Sequence, residues 1–260
     1  MFDVGVNLTS KKFLKDREKV VQRARAVGVT GMVIISCTLS DSRQAIMLAK
    51  EGENYFWCTV GVHPNYANTW SQKVGVDMRP LIYEPCVVAI GECGLDFHRS
   101  FATKKKQIDA FQAQIELAVE LSVPLFLHCR NAHKCLMSIL KPWLPHLPSV
   151  FLHCFTGTQV ELEVYIEHGI FIGVTGWICD VYRGRDLRQL ISLIPSDLLL
   201  IETDAPWLLP MGMDLAPPSK RNEPCFLPHI IQTVAILRGD DMIELSKKIT
   251  LNAHKLFHLI

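Results

Sequence analysis

Ile90-Gly91-Glu92-Cys93-Gly94-Leu95-Asp96-Phe97 continues the apolar run Cys86-Val87-Val88-Ala89-Ile90 and sets one acid between two glycines at its end. A short apolar run bounded by glycine reads as a buried strand. A carboxylate at the end of such a strand is costly unless something pairs with it. Three further runs close the same way: Leu125-Phe126-Leu127-His128, Val150-Phe151-Leu152-His153 and Leu198-Leu199-Leu200-Ile201-Glu202-Thr203-Asp204. Four strands that present Glu92, His128, His153 and Asp204 at their C-terminal ends read as a metal site on a barrel.

Outward from that stretch the pattern repeats. Strand signals fall at 2–8, 31–37, 55–62, 86–91, 123–128, 149–153, 170–174 and 198–203, with helical patterns between them. Thr103 is placed to N-cap the fourth helix, and Thr158-x-x-Glu161 fits a capping box at the sixth. Alternating strands and helices argue for a parallel sheet, and eight repeats argue for a closed (β/α)₈ TIM barrel. A doubly wound open sheet is the competing architecture. The Pro-rich stretch 205–224 reads as a long loop over the barrel mouth, before two last helices near 228–237 and 241–257. Residues 1–260 are expected to form a single domain.

Composition narrows the function classes. The formal net charge of +1 lacks the basic surplus that coats long stretches of nucleic acid, so a polynucleotide would be gripped locally. Nine cysteines without a Cys-x-x-Cys pair do not form a disulfide framework. Cys93, Cys129 and Cys154 each follow a candidate ligand, so strand alternation should turn them toward the helix layer as small core side chains. No long apolar span appears, and a cytoplasmic protein is expected.

In a βα barrel the active site lies at the C-terminal strand ends, where all four candidate ligands fall. Two imidazoles with carboxylates form a mixed N/O set suited to Zn²⁺, Mn²⁺ or, with more water, Mg²⁺. His63 in Gly61-Val62-His63-Pro64 either touches substrate phosphate or a metal-bound water, or fixes the loop before Pro64. Glu202 shares a strand face with Asp204 and is placed to orient a ligand. Arg130, Arg221 and Asn222 are candidates for substrate phosphate, with loop-fixing ion pairs as the alternative for the arginines. Trp177 and Trp207 stand where they could stack on a base or form a lid. Of the other histidines, His98 stands out because it follows Asp96-Phe97.

Gly-Val-His-Pro at 61–64, Gly-Glu-Cys-Gly-Leu-Asp at 91–96, His-Cys-Arg at 128–130, His-Cys-Phe-Thr-Gly at 153–157, Glu-Thr-Asp-Ala-Pro at 202–206 and Arg-Asn-Glu-Pro at 221–224 resemble the TatD family of metal-dependent deoxyribonucleases. The resemblance runs from end to end. It implies an amidohydrolase-type barrel and phosphodiester hydrolysis by activated water. Glu92, His128 and His153 would hold metal, with Asp204 as metal ligand and general base. For the bacterial members it implies a Mg²⁺-dependent 3′–5′ exonuclease on single-stranded DNA and RNA, acting in repair of oxidative damage. The expected partners are single-stranded DNA or RNA ends, with no membrane, and a monomer is expected.

One departure stands out. The family usually opens with Asp-x-His-x-His, and this chain reads Asp3-Val4-Gly5-Val6-Asn7. Gly5 cannot ligate through a side chain, so one firm metal and a weak second Mg²⁺ recruited by substrate are expected. The competing function is a small-molecule or aminoacyl-ester hydrolase, since barrels of this kind host many chemistries.

Overall fold

In the computed structural model, which describes all residues except 53, 100, 214–216, 218 and 260, eight parallel strands form one sheet in chain order, β1 to β8. The strands are β1 (Phe2–Val6), β2 (Gly31–Ile34), β3 (Phe56–Val60), β4 (Val87–Asp96), β5 (Leu125–Arg130), β6 (Val150–Leu152), β7 (Phe171–Val174) and β8 (Leu199–Ile201). Helices follow them as α1 (Arg17–Ala26), α2 (Leu39–Glu51), α3 (Gln72–Ile82), α4 (Lys104–Leu121), α5 (His133–Leu140), α6 (Gln159–Glu167) and α7 (Arg185–Leu190). The chain ends with α8 (Leu227–Arg238) and α9 (Met242–Phe257). This is the strand order and connectivity of a (β/α)₈ barrel, in which each crossover helix covers the strand it follows.

The chain divides into two compact units, one holding Met1–Ile34 with Cys154–Lys255, the other Ile35–His153 with Leu256–His258. In the first unit the end of β1 meets the chain beyond β8. The Asn7 N–H donates to the Ala205 carbonyl at 2.7 Å, and the Asp204 N–H donates to the Gly5 carbonyl at 2.9 Å. The strands of this unit bury aliphatic side chains, among them Val4, Val6, Ile172, Leu200 and Ile201. Phe13 lies in a short 3-10 turn before α1 and is buried, whereas the next residue, Leu14, is exposed. The long loop expected at 205–224 is present where described, and positions 214–216 and 218 lie outside the described residues.

In the second unit β4 pairs with β3 and β5 in parallel. It runs ten residues, to Asp96, well past the end expected at Gly91. The pairing explains the difference. Gly91 lies opposite Phe126 and Cys93 opposite Leu127, so Glu92 is an extra residue on β4, a bulge that re-aims its side chain before the strand continues. Gly91 and Gly94 sit at φ +155° and +129°. A Cβ at Gly94 would lie 2.1 Å from the His128 carbonyl oxygen. Only glycine tolerates both the conformation and the contact. Both expected caps are present: Thr103 accepts the Lys106 N–H at the start of α4, and Thr158 and Glu161 form a reciprocal capping box at α6.

Candidate metal centre

Within the second unit the bulge turns Glu92 into a cluster of imidazoles. Glu92 Oε1 lies 2.8 Å from His128 Nδ1, 3.5 Å from His63 Nε2 and 4.0 Å from His153 Nε2. Among the described residues, the ligand atoms of His63, Glu92 and His128 lie within 4.8 Å of one another. One carboxylate with converging imidazoles is the donor set of a divalent cation of borderline character, so the residues present fit the metal that the sequence implies. His128 extends from β5 and His153 follows β6 directly.

Electrostatics knit the cluster together. Burial alone would raise the Glu92 pKa, but His63, His153 and the hydrogen bond from His128 outweigh it and hold the carboxylate well below its ordinary range. Burial likewise opposes charge on His128, yet hydrogen bonds to Asp96 and Glu92 prevail and raise its pKa. His63 goes the other way, lowered by burial.

His63 has a defined tautomer. Its Nδ1 accepts the backbone N–H of Asn65 at 2.9 Å. The proton of the neutral ring therefore sits on Nε2, the atom that faces Glu92. A ring held this way is a hydrogen-bond donor, and it could ligate through Nε2 only by giving up that proton.

The sequence reading missed Asp96 as a site residue. Its Oδ2 meets His128 Nε2 at 3.2 Å, while its Oδ1 accepts the N–H groups of His98 and Arg99 at 3.0 and 2.8 Å. His128 is thus clamped between two carboxylates. His98 takes part through its backbone. The reading also missed two buried glutamines of α4. Gln107 accepts the Asp96 N–H and donates to the Asp96 and Ala102 carbonyls. Gln114 accepts the Val62 N–H and donates to the Val62 carbonyl, fixing the chain beside His63. Their signal was available in the sequence as two polar side chains one heptad apart in an apolar helical stripe.

The first unit holds the remaining candidates. Asp204 has a left-handed backbone, φ +53°, and its Oδ1 accepts Asn7 Nδ2 at 2.8 Å. The position where a family histidine is absent therefore supplies an amide donor to Asp204. Glu202 is buried and accepts the N–H of Cys154, the residue after His153, at 2.8 Å. Asp3 is buried and accepts the Thr203 hydroxyl at 2.6 Å.

Two phosphate candidates are already engaged. The Arg221 guanidinium forms a fork with both Asp16 oxygens at 2.8 and 2.7 Å, and it also donates to Glu223 and to the Lys12 carbonyl. Asn222 is fully buried, donates to the Thr203 and Leu208 carbonyls and accepts the Glu223 N–H. Both hold the loop, because the two terminal nitrogens of Arg221 and the side-chain amide of Asn222 are hydrogen-bonded within the protein. Arg130 is half-buried at the end of β5. Trp207 carries Lys12 Nζ 4.0 Å over its ring, and Trp177 carries the Arg183 guanidinium at 5.1 Å. Cys93 is buried as expected, whereas Cys129 and Cys154 are only half-buried.

The model of the family described as TatD related DNase matches residues 2–258. A protein of Erwinia tasmaniensis named 3′–5′ ssDNA/RNA exonuclease TatD is 58% identical over 259 residues, covering 100% of both chains. A protein of the same name from Pantoea ananatis is 52% identical over 260 residues, again with 100% of both chains covered. Among solved structures, a TatD homologue from Escherichia coli K12 aligns with a TM-score of 0.90 at 26% identity, over 99% of this chain and 98% of that one.

Proposed function

The chain belongs to the TatD-related DNase family, and from that premise we propose that it is a 3′–5′ exonuclease of single-stranded DNA and RNA, dependent on Mg²⁺. As a member it is a metal-dependent hydrolase of the nuclease kind. The observation that carries the finer reading is the donor cluster at Glu92, reinforced by the names of full-length relatives.

Glu92, His128 and His153 are the residues proposed to hold the firm ion, with Mn²⁺ and Zn²⁺ as the alternatives to Mg²⁺. Gly5 and Asn7 supply no imidazole, which fits a second, weakly held Mg²⁺ that arrives with substrate phosphate. A divalent ion held there would supply Lewis acidity and lower the pKa of a bound water. The chain's own groups do the rest. In hydrolysis a water oxygen bonds to phosphorus as the P–O ester bond breaks, Asp204 takes the water proton, and that proton passes on to the departing ester oxygen, which leaves as a hydroxyl. Asn7 fixes Asp204 for that task through its 2.8 Å hydrogen bond. His63, protonated on Nε2, donates toward phosphate oxygen, and Arg130 is the cation proposed to meet the phosphate. Glu202 positions the chain after His153. Repair of oxidatively damaged strands in the cytoplasm, by a monomer, is the role this activity would serve.

Incubation of an end-labelled single strand with Mg²⁺ or Mn²⁺, with and without chelator, tests the reading. Stepwise shortening from the 3′ end, lost in Glu92→Gln, is expected. Hydrolysis of small esters with no attack on the strand would instead favour the small-molecule hydrolase.

A further inference from the structure

Two loops of the second unit, after β3 and after β4, together with the start of α4, carry aromatic rings and cations near the metal centre. Tyr66 is 48% exposed, with its ring edge-on to His63 at 6.4 Å between centroids. Phe101 is 66% exposed. Lys104 Nζ lies 4.7 Å over the Phe97 ring. Between Asp96 and Asp109 the chain holds Arg99, Lys104, Lys105 and Lys106 and no acid. This is a local concentration of positive charge on a chain whose net charge is only +1.

The described backbone at these rings is hydrogen-bonded. The Tyr66 N–H donates to the His63 carbonyl, and the Tyr66 carbonyl accepts the Thr69 hydroxyl, both at 2.8 Å. Asn68 Nδ2 donates to the Phe101 carbonyl at 3.0 Å and ties the two loops together. Gln107 closes the β4 loop at both ends, at Asp96 and Ala102. Exposed apolar side chains such as Val160, Ile236 and Ile243 also occur singly on helices, where they are ordinary. Rings exposed on hydrogen-bonded segments, one of them edge-on to His63 and with cations close by in sequence, are a different feature.

We propose that these two loops form the platform on which the unpaired strand lies as its end reaches the centre. Tyr66 and Phe101 stack on bases, while Arg99 and Lys104 follow the phosphates. The proposal rests on the exonuclease reading and adds the surface that selects unpaired strands. Every base has a π-face, so stacking tolerates any sequence, and each stack is worth roughly fivefold to a hundredfold in affinity. A duplex buries those faces between its own base pairs and cannot offer them.

The test measures KM and kcat of the full-length protein with Mg²⁺ on a labelled single strand and on the same strand with abasic sites near its end. Tyr66→Ala and Phe101→Ala should each raise KM on the intact strand at least about fivefold, more than they lower kcat. On the abasic strand they should change KM far less, and Tyr66→Phe should retain the affinity. An unchanged KM on the intact strand, or an equal rise on both strands, would overturn the platform while leaving the exonuclease standing. Absence of cleavage by the unaltered protein would sink both.

Discussion

At the scale of single residues, His128 decides how the proposed centre responds to pH. Two carboxylates hold its proton and raise its pKa above the usual histidine value. A metal must displace that proton, so affinity should weaken as pH falls through the raised pKa, and binding should release a proton. Calorimetry in buffers of different ionisation enthalpy reads this directly, and buffer-independent heats would contradict it. Asp96→Asn should cut metal affinity roughly 10- to 100-fold, the usual loss when a residue that orients a ligating histidine is changed. Asn7→Ala should lower kcat about tenfold with little change in KM, since it removes one hydrogen bond to a charged group. An equal loss of thermal stability and activity would mark Asn7 as structural. Asp3 bears on stability. Burial pushes its pKa up to about 7, against the hydrogen bonds from Thr203. The folded protein then keeps a proton that the unfolded chain releases above pH 3.8. The Asp3 contribution is therefore complete below that value and is lost as pH rises through about 7. Asp3→Asn should flatten that part of the unfolding-temperature profile.

Among the elements, β4 matters most, because it carries both Glu92 and Asp96. Its bulge depends on Gly91 and Gly94, which let it approach β5 more closely than any side chain allows. Gly94→Ala should cost roughly 2–6 kcal/mol, combining backbone strain with overpacking against the His128 carbonyl. Denaturant unfolding measures it, and a loss below about 1 kcal/mol would mean the bulge re-forms easily. Glycine at both positions was visible in the sequence. That Glu92 would be the unpaired residue was not, since a bulge is a property of two strands and only one is written at 86–96. Helix α4 supports the same region from outside through Gln107 and Gln114, which stand in for backbone partners at the ends of β4 and β3.

For the whole molecule, a net charge of +1 with cations gathered at Arg99, Lys104 and Arg130 points to few phosphate contacts. The logarithm of affinity for a single strand should fall against the logarithm of salt with a slope near −2, at about −0.7 per contact. A much steeper slope would reveal a longer basic track. The sequence by itself determined the eight βα units, the order of the strands and the polar residues that close them. Those signals are local: the periodicity of apolar residues and the glycines and caps at its breaks. It also marked Glu92, His128, His153 and His63, because each stands alone at the end of an apolar run. Only the tertiary structure decided which polar atoms meet. Arg221 was equally suited by sequence to phosphate or to an ion pair, and Asp16, far away in the chain, takes its guanidinium. Asn7 read as a lost ligand and proves to be a donor to Asp204. Such partners depend on strand register and loop path, which the apolar pattern constrains only to the correct face.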